Sequence, residues 1–107
     1  MLSFVKDKFV GWYTVQKNDT MWGIAQKFET TYQRLAAFNQ IRNPEIIHTG
    51  QKIYIPEEIE YTIQRNDTLW ALQVKYGTSY TIIANYNNIP DPSIIHTGTK
   101  IIIPKKG

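Results

Sequence analysis

The sequence predicts an α+β chain built from two tandem small βααβ modules, each a two-stranded antiparallel sheet with two helices on one face. Three observations carry this. Residues 13–56 and 61–104 align without a gap at an offset of 48 positions, and about half of the paired positions are identical, the mark of an internal duplication. Each copy opens and closes on a short run suited to a half-buried strand: Tyr13-Thr14-Val15-Gln16 and Lys52-Ile53-Tyr54-Ile55 in the first, Tyr61-Thr62-Ile63-Gln64 and Lys100-Ile101-Ile102-Ile103 in the second. Between them lie two apolar patterns of helical period.

Residues 1–12 stand outside the repeat. Leu2, Val5, Phe9 and Trp12 form an amphipathic helical stripe that breaks at Gly11. Such an arm has two destinations: its own first repeat, or a protein partner met through Leu2, Phe4, Val5 and Phe9.

In module 1, residues 13–56, Lys17-Asn18 turns the chain after the first strand, since asparagine tolerates left-handed backbone angles. Asp19 precedes a helix whose buried face is Met21, Ile24, Ala25 and Phe28, so its carboxylate is placed as the N-cap. Thr31 caps a second helix, Tyr32 to Phe38, with Tyr32, Leu35, Ala36 and Asn39 inward. A loop from Gln40 to Gln51 follows, restrained by Pro44 and turned at Gly50. The last strand then stops at Pro56, which has no N–H to give to a ladder.

Module 2, residues 61–104, reads the same way with core-conserving exchanges, Leu69 for Met21, Leu72 for Ile24 and Ile83 for Leu35. Residues 57–60 form a linker too short and too poor in glycine to be a flexible tether. Residues 105–107 read as a solvated basic tail.

The chain has 107 residues, no cysteine and a net charge of only +3, so two very small cores must hold without disulfides. Its cations are dispersed among acids, which argues against nucleic acid as a partner. Charges interrupt the first ten residues where a signal peptide needs an apolar run, and no stretch is long and apolar enough to span a membrane.

Catalytic chemistry finds little support. Asp19 and Asp67 lie in separate modules with a structural task each, and His48 and His96 sit in loops without a neighbouring acid at ligand spacing. Cysteine is absent, and Ser3, Ser79 and Ser93 are not shared between the repeats. No enzyme, cofactor or metal site is expected. Trp22 and Trp70 are read as core or partial core rather than as sugar-stacking platforms, and Tyr32 and Tyr80 as packing residues.

A strand, Asn-Asp-Thr-Met-Trp, two helices ending in Asn, and then Asn-Pro-x-Ile-Ile-x-x-Gly-Gln-Lys-Ile-x-Ile-Pro resemble the lysin motif (LysM), in two complete copies. The resemblance implies non-catalytic binding of N-acetylglucosamine-containing glycans, peptidoglycan or chitin, in a groove between two loops. On the matching positions that groove is Asn18, Asp19, Thr20 and Met21 with Asn43, Pro44, Glu45, Ile46 and Ile47. In the copy it is Asn66, Asp67, Thr68 and Leu69 with Asp91, Pro92, Ser93, Ile94 and Ile95. Asn18 and Asn66 stand where the family often has Gly, and Thr49 and Thr97 where it often has Pro. The resemblance also implies a place at a cell wall. The alternative is a structural adaptor that docks through the same modules in a phage or contractile-tail baseplate or a spore coat.

Overall fold

The computed structural model describes residues 8–107. The order is β1 (Gly11–Thr14), α1 (Met21–Lys27), α2 (Tyr32–Asn39), β2 (Lys52–Ile55), β3 (Glu57–Thr62), α3 (Leu69–Tyr76), α4 (Tyr80–Tyr86) and β4 (Lys100–Lys105). Two antiparallel pairs result, β1 with β2 and β3 with β4. Each repeat is thus the expected α+β unit.

Each unit has its own core. Val15, Met21, Ile24, Ala25, Leu35, Ala36, Ile53 and Ile55 cluster in the first, and Ile63, Leu69, Leu72, Ile83, Ala84, Ile101 and Ile103 in the second. These are the inward positions of the strand and helix patterns, and their burial is the main source of stability. An asparagine ties helix to strand in both. The Asn39 amide donates to the carbonyls of Leu35 and Tyr54 (both 2.9 Å) and accepts from the Tyr54 N–H (2.7 Å). Asn87 repeats this with Ile83 and Ile102.

Asn18 and Asn66 both take φ of 71°, and Gly50 and Gly98 take 92° and 90°, so the turn residues adopt the left-handed backbone expected of them. The helix caps differ from expectation. The residue that caps α1 is Thr20, whose hydroxyl accepts from the Gly23 N–H at 3.0 Å. Thr68 does the same for α3 at the Ala71 N–H. Asp19 lies one residue too early to reach those amides and turns back instead to the first strand. Thr31 caps α2 as expected.

The strand ends also differ. β1 begins at Gly11 because Gly11 pairs with Ile55 and Trp12 with Tyr54, so Trp12 belongs to the sheet and not to a helical stripe. Its ring packs edge-on against Tyr54 at 5.0 Å. Leu2, Phe4 and Val5 lie outside the described residues. Phe9 packs on its own repeat, 5.3 Å from the Phe28 ring. Residues 57–60, expected as a linker, form the first part of β3, leaving Pro56 alone between the two sheets. β4 runs through Pro104 to Lys105, opposite Glu57. The tail is docked rather than solvated: the Lys106 ammonium sits 5.1 Å from the Trp12 ring, and the Gly107 N–H donates to the Tyr54 hydroxyl.

The modules meet through α2 and α4. Arg34 lies over the Tyr86 ring and donates to the Tyr86 carbonyl at 3.3 Å. The Tyr86 hydroxyl donates to Glu58 at 2.5 Å, Thr30 donates to the same oxygen at 3.2 Å, and Lys8 pairs with the other at 3.4 Å. One carboxylate therefore gathers groups from both modules. Burial, followed by the Glu58 carboxylate, pushes the Tyr86 hydroxyl pKa up. Among the described residues, no helix is long and apolar enough to cross a membrane.

Candidate functional site

The β1–α1 loop of the first module is built from the Asp19 carboxylate. It accepts from the Tyr13 hydroxyl at 2.6 Å and from the Gln16 N–H at 2.8 Å. These two bonds pin the loop to its own strand, and Thr20 then starts α1. The opposite loop is shaped by Asn43, whose side chain accepts from the Glu45 N–H at 3.1 Å.

Between the loops lies an open cavity of about 400 Å³, lined by Asp19, Thr20, Met21, Trp22, Tyr32, Pro44, Glu45 and Ile47. Six residues expected at the site thus come together. Asn18, Asn43 and Ile46 do not line the cavity: Asn18 makes the turn, Asn43 folds the loop, and Ile46 is 59% exposed.

Two lining residues were expected in the core instead. Trp22 is 60% exposed and Trp70 63%. The reason is angular: Met21, Ile24 and Ala25 fill the buried face of α1, and a residue directly after Met21 is rotated about 100° off it. Tyr32 packs partly on the first core and also lines the cavity. The signal was available, since both aromatics recur in the second repeat at positions off the apolar stripe.

The second module repeats the loop construction. Asp67 accepts from the Tyr61 hydroxyl at 2.5 Å and from the Gln64 N–H at 2.7 Å. Asp91 accepts from the N–H and hydroxyl of Ser93, contacts that hold its carboxyl below the usual carboxylate range. Ser93 replaces Glu45, so the second groove carries less charge. Here Ile94 and Ile95 border a smaller cavity of about 130 Å³ together with Asn87 and His96. Asn66 makes the turn, Thr68 caps α3 and Leu69 is buried in the core.

The tyrosine–aspartate pairs set a pH window. The tyrosine hydroxyls and the backbone amides hold Asp19 and Asp67 below their ordinary value of 3.8. That contribution to stability is present above the unfolded pKa and lost as pH falls through the folded one. The aspartates in turn push Tyr13 up from 10.0 and Tyr61 to about 12. A raised tyrosine contributes fully below the unfolded pKa and stops contributing as pH rises through the folded value. The melting temperature is therefore expected to fall at both extremes, below about pH 4 and above about pH 10. Calorimetry across pH checks this, and Tyr61→Phe should flatten the acid limb.

Two βααβ modules, each with an open groove between its strand–helix and helix–strand loops, define a class of small repeat modules. The chain belongs to the LysM domain family, whose model matches residues 13–56 and 61–104.

Among relatives, the protein NlpD/LppB homolog of Buchnera aphidicola is 40% identical over 52 residues, 49% of this chain and 16% of that protein. The spore coat assembly protein ExsA of Bacillus cereus is 40% identical over 47 residues, 43% of this chain and 7% of that protein. The chain thus corresponds to a small part of these relatives. Among solved structures, the spore cortex-lytic enzyme SleL of Bacillus megaterium aligns over 94% of this chain and 24% of its own, at 33% identity and a TM-score of 0.43.

Proposed function

We propose that the chain is a non-catalytic binder of N-acetylglucosamine-containing glycans, peptidoglycan or chitin, acting through the groove of Asp19, Thr20, Met21, Trp22, Tyr32, Pro44, Glu45 and Ile47 and its counterpart in the second module. LysM domains bind such glycans. The observation that carries the reading onto this chain is the pair of exposed indoles, Trp22 and Trp70, each 60% exposed or more. An uncovered tryptophan on the wall of an open cavity offers a flat apolar face to the C–H side of a sugar ring, while the loop backbone offers donors and acceptors to its acetamido group and hydroxyls.

Asp19 supports the non-catalytic reading. Its carboxyl is held in the ionised state by Tyr13 and the Gln16 N–H, so it carries no proton to donate at neutral pH. With two grooves on one chain, the second binds at a high effective concentration once the first is engaged. The setting that fits is a cell wall or a spore coat. The adaptor reading has lost part of its motive, because Phe9 packs against Phe28.

Calorimetric titration with N-acetylglucosamine oligomers of increasing length tests the proposal. Affinity should rise with length, and Trp22→Ala should weaken it about tenfold or more with the circular dichroism spectrum unchanged. Equal binding by the variant would remove the groove from consideration.

A further inference from the structure

A second cavity, about 630 Å³, lies where the modules meet, between α2 with the loop after it and α4. It is continuous with the first groove, because Tyr32 and Pro44 line both. A glycan seated in that groove has one flank directed at the inter-module cleft.

The cleft carries an uncommitted set of donors. Arg42 lines it and is exposed, and among the described residues it makes no hydrogen bond or ion pair. The side-chain amides of Gln33, Gln40 and Asn85 line it as well, and none of them is hydrogen-bonded within the protein among the described residues. The fold does not require the cation, because the same position in the second repeat is Pro90. A guanidinium with several amides is suited to carboxylates, which it binds with charge-assisted and often paired hydrogen bonds.

We propose that this cleft binds the carboxylate-bearing peptide attached to the sugars of peptidoglycan, which makes the chain selective for peptidoglycan over chitin, a plain sugar polymer. The inference rests on the glycan-binding reading above. Module 1 seats the sugar, and Arg42 with Asn85 of the second module holds the acidic peptide beside it.

The test is calorimetry with one tetrasaccharide of alternating N-acetylglucosamine and N-acetylmuramic acid, with its peptides and after an amidase has removed them. The peptide-bearing form should bind roughly tenfold tighter, the gain of one charged hydrogen-bonded contact. That gain should shrink with added salt. Arg42→Ala, and separately Asn85→Asp, should reduce it to the level of the bare sugar and leave bare-sugar affinity within about twofold. Equal affinity for the two forms overturns the inference while leaving the groove intact. A parallel loss of both affinities in Arg42→Ala means that the cleft holds sugar, and this too overturns it. Binding of neither form removes the glycan-binding reading along with the inference.

Discussion

Replacing Asn87 with alanine is expected to unfold the second module at a temperature where the first still stands. Asn87 is half-buried and makes three hydrogen bonds, to the carbonyls of Ile83 and Ile102 and from the N–H of Ile102, all between 2.7 and 2.8 Å. Two of them join helix α4 to strand β4, on the strand edge that β3 does not cover. At about 1 kcal/mol each, and with backbone groups left unpaired, the loss is about 3 kcal/mol. A module of this length has a total stability of about 2–7 kcal/mol. The single variant should therefore split one thermal transition into two, or lower the midpoint by more than about 10 °C. Asn39→Ala should do the same to the first module. A midpoint within a few degrees of the parent would show that the packed cores, and not the asparagine brackets, hold helix to strand.

Glu58→Ala should free the modules from each other without melting either. The carboxylate accepts from Tyr86 and Thr30 and pairs with Lys8, and its side chain is only 15% exposed. Its removal leaves the Tyr86 hydroxyl, on a residue 1% exposed, without its acceptor, at a cost of about 1–3 kcal/mol. Rotating α4 away from α2 lets that hydroxyl reach water. The cores lie within the modules and are untouched. Small-angle scattering should show an increase over the compact chain, whose Cα radius of gyration is 14.9 Å, and Glu58→Gln should fall between the two. An unchanged scattering curve would assign the orientation to Arg34 and the helix faces instead.

Most of the architecture was legible because duplication shows each element twice. A turn read from Asn18 is read again from Asn66, and the inward positions of α1 recur in α3. The errors cluster where one residue has two possible partners. Asp19 looked like a cap because it precedes the helix; the tyrosine two positions into the repeat competes for it, and that pairing is visible only when the strand is laid beside the loop. Trp22 looked like core by its apolar nature, although its phase on the helix put it outside. The linker misled because Glu57, Glu58 and Glu60 do not look like a strand, yet β4 supplies them with a partner across sequence. The contacts of Glu58, Tyr86 and Arg34 were out of reach, since a repeat encodes its own fold and says little about how two copies lean together.

In each module the entering strand and the leaving strand are neighbours, with Gly11 opposite Ile55 and Glu57 opposite Lys105. The two ends of a module thus emerge side by side at one edge of its sheet. A pull applied through the polypeptide on both sides opens that sheet as a zipper opens, loading one pair of hydrogen bonds at a time instead of shearing all of them together. Such a module yields under small forces along the chain. As a mechanical element it suits a role in which strain is shared over many molecules on a surface, and not one in which a single strand of protein bears the tension.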